Sequence, residues 1–175
     1  MSVDIYKFVR ERLDEDARFA SQASRKHGYA DYPVAGVHWF WSTLQDEDAV
    51  LDRDEEFVGG DEVRVSLRSR EEWPVRGGAI GRHVALPQFA IHEVEEVERE
   101  VGAFMVRFHP ARILADVAAK RRTLDEHRPI DGRCHVCAAH HEGEWRRIVA
   151  PCFTVRDLAA PYQDHPDYDT EWSPA

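Results

Sequence analysis

The sequence predicts an α+β protein with an opening helix, a small antiparallel sheet and a zinc-stapled helical C-terminal portion. Three patterns lead to this prediction: apolar residues at helical spacing near the start, alternating apolar and polar residues in the middle, and a His/Cys cluster between helical patterns near the end. The expected division is 1–103 for the opening helix, the sheet and an acidic helix, and 104–175 for the zinc-binding portion, both within one compact unit.

The composition is that of a small globular protein. A chain of 175 residues, 43% of them hydrophobic, is long enough to bury one sizeable core. No segment approaches the roughly 18 consecutive apolar residues of a membrane span. The first residues run straight into an amphipathic pattern, without the apolar stretch of a signal peptide. We therefore expect a soluble, cytoplasmic protein whose three cysteines stay reduced until a metal binds them.

The charge of the chain is unevenly distributed. The formal net charge is −10, yet residues 107–156 contain ten Lys or Arg and only six Asp or Glu. Such a basic region is typical of a surface that meets nucleic acid or an acidic partner. The commoner explanation is a solvated face that the acidic remainder of the chain balances.

Apolar residues at helical spacing predict a long opening helix. Its buried stripe is expected to consist of Ile5, Phe8, Val9, Leu13, Ala17 and Ala20. Ser2 is in position to cap the N-terminus of this helix, and His27-Gly28 would stop it. The opposite face is charged, so the helix is expected to lie on a surface and bury one stripe.

The middle of the chain predicts strands and one loop. Residues 34–42 alternate so that Trp39 and Trp41 share a face, residues 63–68 alternate with one buried face, and residues 80–86 follow Gly77-Gly78 in a hairpin. Together these segments predict an antiparallel sheet of three or four strands. The acidic segment 45–62 is predicted to be a loop, and it lacks the spacing and central glycine of a calcium-binding loop.

The rest of the chain predicts helices. Residues 87–102 have helical spacing and an acidic, solvated face, and Pro110 stands at the first position of a helix that ends near His127. Thr154 is in position to cap a last helix. Trp172 is expected to tuck back onto the body from an extended tail.

A basic cluster lies near the end of the predicted 110–127 helix. Lys120, Arg121 and Arg122 are consecutive, so they fan over about 200° of the helix surface. Because Arg121 falls near the buried stripe, we expect it to be partly buried and paired with an aspartate. The expected partners are Asp125, Asp164 or Asp167.

The cysteines form the strongest functional pattern, His127-x6-Cys134-x2-Cys137-x14-Cys152. Two cysteines separated by two residues can reach one ion together, and a third cysteine with a histidine completes a tetrahedral zinc shell. We therefore predict structural Zn²⁺ at His127, Cys134, Cys137 and Cys152. The fourth ligand is the open point, because His135, His140, His141 and His165 are alternatives to His127.

Other chemistry fits the same residues less well. A Cys-x-x-Cys pair can be a redox motif, but its usual setting is a strand leading into a helix, whereas Cys134 and Cys137 are predicted to lie in a loop. A catalytic zinc would need an open position and a base, and Glu142 beside His140 and His141 is the one nearby carboxylate. No catalytic or cofactor-binding residues are therefore predicted besides the metal ligands.

The second half of the sequence resembles a known family. The matching segments occur in the same order along residues 104–173, and the opening helix also fits: His109-Pro110-Ala111-Arg112-Ile113-Leu114, Lys120-Arg121-Arg122 with Glu126-His127, Cys134-His135-Val136-Cys137, Pro151-Cys152-Phe153-Thr154-Val155-Arg156-Asp157-Leu158-Ala159, and Pro161-Tyr162-Gln163-Asp164-His165-Pro166-Asp167-Tyr168 with Trp172. These segments are similar to the actinobacterial and phage proteins of domain of unknown function family 6221. The resemblance supports His127, Cys134, Cys137 and Cys152 as one unit and implies no activity.

The expected function follows from these observations. The chain is predicted to be a small zinc-stabilised protein that serves as a protein-interaction or regulatory module. One alternative is a nucleic-acid-binding zinc protein that uses the basic region 107–156. The other is a zinc-dependent hydrolase in which Glu142 and its neighbours act. A protein partner is expected, and no membrane contact is expected.

Overall fold

The computed structural model describes residues 4–24, 37–43, 57–59, 65–69, 73–77, 82–86, 89–94 and 96–173. Within them, the helices are α1 (Ile5–Ala23), α2 (Arg99–Arg107), α3 (Pro110–Glu126) and α4 (Phe153–Ala159). The strands are β1 (Trp39–Thr43), β2 (Phe57–Gly59), β3 (Val65–Ser69), β4 (Trp73–Gly77), β5 (Arg82–Leu86), β6 (Phe89–Val94), β7 (Glu96–Glu98), β8 (Pro129–Ile130), β9 (Arg133–His141) and β10 (Glu144–Val149). A helix comes first and small antiparallel sheets follow, so the predicted α+β class is confirmed.

The chain divides into two compact units. Unit 1 consists of Met1–Ala17 and Ala115–Ala175, and unit 2 consists of Arg18–Leu114. Unit 1 therefore contains the start and the end of the sequence, while unit 2 is one continuous segment. The predicted division between residues 103 and 104 stays a prediction.

Helix α1 forms because its apolar residues recur on one face. The most buried of these residues belong to the predicted stripe, and each is no more than 6% exposed: Ile5, Phe8, Val9, Leu13 and Ala20. At the N-terminus the carboxylate of Asp4 accepts a hydrogen bond from the backbone N–H of Tyr6 at 3.0 Å. This bond satisfies one of the N–H groups that a helix start leaves free. The predicted cap, Ser2, and the predicted stop, His27-Gly28, lie outside the described residues.

Unit 2 contains a three-stranded antiparallel sheet in the order β1-β3-β6. Trp41, Val65 and Leu67 form its core, each no more than 2% exposed. The indole N–H of Trp41 donates to the carbonyl of Gly102 in α2 at 3.1 Å. A side chain at Gly102 would meet the Trp41 indole nitrogen at 3.0 Å, so the glycine permits this close approach.

Two strand predictions in unit 2 need correction. Ser66 on β3 is only 4% exposed, so both faces of that strand are covered rather than one. Strands β4 and β5 pair antiparallel, as the predicted hairpin requires. They form a two-stranded sheet of their own, rather than joining β1 and β3 in the single sheet that the sequence predicts.

The predicted helix over residues 87–102 is wrong for most of its length. Strand β6 pairs with β3, strand β7 pairs with β2, and only α2 from Arg99 onward is helical. Val94 lies opposite Val65 and Ile91 lies opposite Leu67, so pairing with a distant strand partly buries Val94 and Ile91 against the core of the sheet. Tertiary pairing thus overrides the helical spacing. Strand β2 also lies within the predicted loop 45–62, and residues 45–56 and 60–62 of that loop lie outside the described residues.

Unit 1 contains helix α3 from Ala115 onward, the antiparallel sheet β10-β9-β8 and helix α4. Helix α3 begins at Pro110, as predicted, and buries Val117 and Leu124. The cysteines Cys134 and Cys137 lie on strand β9, so the prediction that they occupy a loop is wrong. Cys152, rather than the predicted Thr154, is the N-cap residue of α4.

The C-terminal segment folds back onto α1. Trp172 is 7% exposed, and the centre of its ring lies 5.0 Å from that of Phe8, which confirms that Trp172 tucks onto the body. The segment is not extended, because short 3-10 turns occupy Ala160–Tyr162 and Thr170–Trp172. The burial of aromatic side chains explains why the segment is turned rather than extended, since each 3-10 turn directs a ring toward α1.

Candidate metal centre

Three elements of unit 1 bring one histidine and three cysteines together. His127 follows the last residue of α3, Cys134 and Cys137 lie on β9, and Cys152 immediately precedes α4. The metal-binding atoms of these four residues all lie within 4.8 Å of one another. We call this group the His–Cys cluster.

The three sulfur atoms of the His–Cys cluster all lie close to one atom, Nδ1 of His127. The sulfur atoms of Cys134 and Cys152 each lie 3.5 Å from that nitrogen, and the sulfur of Cys137 lies 3.3 Å from it. An imidazole nitrogen carries either one hydrogen or one lone pair, so it cannot serve three sulfur atoms at once. The convergence therefore does not correspond to ordinary hydrogen bonding.

The same distances match a shared metal ion. Zinc ligands at about 2.3 Å for sulfur and about 2.0 Å for nitrogen, separated by a tetrahedral angle, lie roughly 3.5 Å apart. The Sγ–Nδ1 distances of 3.3–3.5 Å agree with that separation. Cys134 and Cys152 are 0% and 1% exposed, so solvent is excluded from much of the cluster. These residues could hold a metal ion.

Strand β9 carries a bulge that positions its two cysteines. Arg147 on β10 pairs with Ala138 on β9, and Val149 on β10 pairs with Arg133 on β9. An advance of two residues along β10 therefore corresponds to five residues along β9. The extra residues include Cys134 and Cys137. The backbone N–H of Cys137 donates to the sulfur of Cys134 at 3.3 Å, which orients one ligand toward the other. Bulges commonly re-aim side chains next to functional sites.

Two tight turns connect the three strands of this sheet. Asp131 and Gly132 connect β8 to β9 with φ of 50° and 74°, and Glu142 and Gly143 connect β9 to β10 with φ of 51° and 86°. Positive φ at both central residues is the feature of the two-residue turns that suit hairpins. The Asp-Gly pair before Cys134 was therefore a signal that the cysteines lie on a hairpin.

The thiols of the His–Cys cluster perturb one another. Burial tends to raise the pKa of the Cys134 thiol, but hydrogen bonds from the backbone N–H groups of Cys137 and Val136 and from the Cys152 and His127 side chains lower it to about 7. Burial, together with hydrogen bonds and charge from Cys134 and Cys152, raises the pKa of Cys137 to about 11. The Cys137 thiol therefore favours its protonated form at neutral pH, and a cation held by the cluster would lower the pKa of Cys137.

Helix α1 also contacts the cluster. The hydroxyl of Tyr6 donates to the backbone carbonyl of His127 at 3.1 Å. Burial and the nearby sulfur atoms of Cys152 and Cys134 raise the pKa of Tyr6 to about 12. The hydroxyl therefore stays protonated and holds the peptide of His127 in place. This contact orients a residue of the cluster from outside it.

The other histidines weighed as ligands lie elsewhere. His135 lies between the two cysteines, and its ring Nδ1 is buried without a hydrogen-bond partner among the described residues. His140 is exposed, and its ring packs edge-on against Trp145 at 5.5 Å. His165 contacts the guanidinium of Arg12. The side chain of His141 lies outside the description.

The basic cluster on α3 is paired within the chain. Arg121 pairs with Asp14 of α1, so an aspartate partner is present but is none of the three predicted. Lys120 pairs with Asp116 at 2.6 Å, one turn earlier on the same helix. The exposures of Lys120 and Arg122 differ, as expected from their positions around the helix. These ion pairs reduce the positive charge that Lys120 and Arg121 offer to a binding partner.

The fold and the His–Cys cluster define a small α+β protein with a potential four-ligand metal centre. Comparison with known proteins adds the family: the chain belongs to the DUF6221 family, a family of unknown function, whose model matches residues 2–174. The resemblance found in the second half thus extends over nearly the whole chain. Neither the curated proteins nor the solved structures include a match. Within the described part of the chain, no helix has the length and apolar character needed to cross a membrane.

Proposed function

We propose that the His–Cys cluster is a structural zinc site and that unit 1 is a zinc-stabilised protein-interaction module. The observation that supports this most directly is the closed set of four protein ligands around one point, His127 Nδ1 and three sulfur atoms. A shell of three thiolates and one imidazole leaves no position for water or substrate.

The donor set favours zinc among the common metals. Three sulfur atoms and one nitrogen are soft ligands, whereas calcium and magnesium prefer oxygen. Among the described residues, no carboxylate belongs to the cluster. When bound, Zn²⁺ supplies positive charge that lets the three thiols ionise together. His127, Cys134, Cys137 and Cys152 would then tie the end of α3, strand β9 and the start of α4 into one unit.

A catalytic zinc is a weaker explanation. Four protein ligands close the shell, whereas catalytic sites keep one position open. Glu142, the base considered in the sequence, is exposed and occupies the turn between β9 and β10, five residues after Cys137. We therefore place structural zinc ahead of a zinc hydrolase.

A nucleic-acid-binding role is also a weaker explanation than a protein-interaction role. Lys120, Arg121 and Arg146, which belong to the basic region 107–156, form ion pairs with Asp116, Asp14 and Glu144. Each of these ion pairs removes one of the region's ten cations from the contacts with phosphates on which binding to nucleic acid depends. The net charge of −10 would add repulsion. A protein partner therefore agrees better with the charges.

The metal proposal is tested by changing one ligand. Cys134→Ser removes a buried sulfur ligand, so we expect the bound zinc to fall well below one ion per chain, and unit 1 to lose several kcal/mol of stability, because binding free energies of about 10 kcal/mol are typical of structural zinc. The measurements are metal content of protein purified without chelator and thermal unfolding. His140→Ala, at an exposed histidine, is the matched control and should change neither. Protein that contains no zinc, or a Cys134→Ser variant that melts like wild type, would contradict the proposal.

The interaction proposal is tested separately. Zinc-loaded protein is used to capture partners from a lysate of the source organism, with and without nuclease. We expect a defined protein partner to be recovered in both conditions and to be lost after chelation. Recovery that requires intact nucleic acid would place the nucleic-acid role first.

A further inference from the structure

One face of the sheet β10-β9-β8 is left open in unit 1. Side chains alternate along a strand, so Trp145, Arg147 and Val149 of β10 point to the same side. Residues that pair directly across strands share a face, which adds His140, Ala138 and Arg133 of β9 and Ile130 of β8. We call these seven residues the outer face.

The outer face is exposed and partly apolar. Trp145 is 74% exposed, Val149 63% and Ile130 36%, and the remaining four residues are also exposed. Val149, Arg133 and Ile130 lie in one row across the three strands. Trp145 lies at one end of the outer face and this row lies at the other, with Arg147 between them on β10. Exposed apolar side chains of this size on one face commonly mark a contact surface.

The charge of the outer face is positive. Arg147 and Arg133 are its charged residues, and none of the seven is acidic. Among the described residues no carboxylate pairs with either arginine, and the guanidinium of Arg133 instead donates to the carbonyl of Arg147 at 2.7 Å. That bond holds Arg133 across the sheet. The opposite face differs, because Arg146 there pairs with Glu144 at 3.3 Å.

The composition of the outer face matches the centre of a protein interface. Tryptophan and arginine are enriched at such centres, whereas lysine, aspartate and glutamate are depleted. We propose that the outer face docks a protein segment that presents acidic side chains between apolar ones. The carboxylates would meet Arg147 and Arg133, one apolar side chain would pack on Trp145 at one end of the face, and another would pack on Val149 or Ile130 at the other end. This inference rests on the proposed interaction function and identifies its surface and the chemistry of its partner.

The His–Cys cluster contributes to this surface indirectly. Cys134 and Cys137 lie on the central strand β9, so a bound metal would fix the bulge that sets the register of the outer face. A surface that is rigid before binding loses less entropy when a partner docks. Bases and phosphates would not need the aliphatic row of Val149 and Ile130, which is why an acidic, apolar protein segment fits better than a single-stranded nucleic acid.

The experiment selects short random peptides on immobilised, zinc-loaded protein and measures their affinity by fluorescence anisotropy. We expect the selected peptides to combine Asp or Glu with a large apolar residue. Trp145→Ala and Arg147→Ala should each weaken binding by about tenfold or more. The matched control is Arg146→Ala on the opposite face, which should change binding by less than about twofold. In addition, Arg147→Glu should bind better to a peptide whose carboxylates are replaced by lysines. Zinc content and melting temperature verify that each variant is folded.

Several results would overturn the inference. If the peptides bind the outer-face variants as they bind wild type, the docking surface lies elsewhere, while the zinc and partner measurements above still support the proposed function. Failure to select acidic, apolar peptides would also overturn it. A second copy is the occupant if sedimentation shows a dimer that Trp145→Ala dissociates, and a nucleic acid is the occupant if single-stranded oligothymidylate binds more tightly than any peptide and requires Trp145. Loss of zinc in wild-type protein would instead show that the proposed function itself fails.

Discussion

At the scale of single residues, Phe8 is the centre of aromatic packing in unit 1. The ring centres of Trp172, His165, Tyr168 and Tyr162 lie 5.0, 5.6, 5.9 and 6.4 Å from its own. Phe8 is 1% exposed, so its removal would leave a cavity that four rings line. This single side chain therefore links α1 to the C-terminal segment.

We predict that Phe8→Ala lowers the free energy of unfolding by about 3–5 kcal/mol. The matched control is Phe153→Ala, because Phe153 also belongs to unit 1 but is 64% exposed. The control should change stability by less than about 0.5 kcal/mol. Urea unfolding of the zinc-loaded proteins measures both values. Equal losses in the two variants would mean that the aromatic cluster does not stabilise unit 1.

Tyr162 couples the stability of unit 1 to alkaline pH through the proton of its hydroxyl group. Burial, and then the hydrogen bond to Asp16 and its negative charge, raise the pKa of Tyr162 well above its ordinary value of 10.0. The folded state thus holds this proton more tightly than the unfolded state. Its contribution to stability is complete below pH 10 and is lost as the pH rises through the higher pKa of the folded state.

We predict two effects of Tyr162→Phe. Near neutral pH the variant should lose about 1–3 kcal/mol, because the hydroxyl no longer donates to the Asp16 carboxylate, which it meets at 2.6 Å. Above pH 10 its stability should fall less steeply than that of wild type. Urea unfolding across a pH series measures both. Parallel curves for the two proteins would show that Tyr162 does not couple stability to pH.

At the scale of elements, the turn before β9 sets the register of the strand that carries two cysteines. Gly132 has φ of 74°, and no atom lies within 4 Å of the position that a side chain would occupy there. Its carbonyl accepts a hydrogen bond from the backbone N–H of Ala150 at 3.0 Å. Any effect of substitution should therefore come from backbone strain rather than from collision.

We predict that Gly132→Ala lowers stability by about 1–2 kcal/mol, since residues with a Cβ atom disfavour the left-handed region. Gly132→Asn should lose less, because asparagine tolerates that region, and Gly132→Val should lose more. The order Asn, Ala, Val in chemical denaturation is the test. A steady loss that follows side-chain volume from Ala to Asn to Val would indicate collision and contradict the assignment.

At the scale of the whole molecule, the His–Cys cluster belongs to unit 1 alone. All four of its residues lie within Ala115–Ala175, and Tyr6, which contacts His127, lies within Met1–Ala17. If the cluster holds zinc, removing the metal should weaken unit 1 before unit 2. Local opening of this kind is visible in amide hydrogen exchange.

We predict that chelation speeds hydrogen exchange in α3, β9 and α4 well before it affects the sheet β1-β3-β6. Exchange followed by mass spectrometry resolves the two units. Cys134→Ser without chelator should show the same pattern, which controls for other effects of the chelator. Equal acceleration in both units would show that the metal stabilises the chain as one cooperative body.

Much of the fold and the site could be predicted where the signal is local. Helix α1 was expected from the spacing of Ile5, Val9 and Leu13, because a helix buries residues four apart on one face. Pro110 marked the start of α3, since proline suits a first turn. The Cys134-x2-Cys137 spacing marked the cluster, because it allows two sulfur atoms to reach one point.

Long-range pairing explains the predictions that failed. Residues 89–98 have helical spacing, but Val94 and Ile91 become partly buried by pairing with β3, which lies more than twenty residues earlier in the chain. Arg121 pairs with Asp14, which is 107 residues away and on another helix. Neither partner can be read from a local window, because only the folded chain brings them close.

The sequence by itself determined which residues could take part in a metal site: three cysteines, one local pair among them, and five nearby histidines. Only the tertiary structure decided that His127 joins the cysteines, since Cys152 lies 25 residues away and reaches the same nitrogen through a hairpin and the start of α4. Spacing determines what a segment can reach locally. The convergence of distant segments on one point depends on the packing of the whole unit, and that packing is a property of all its side chains together.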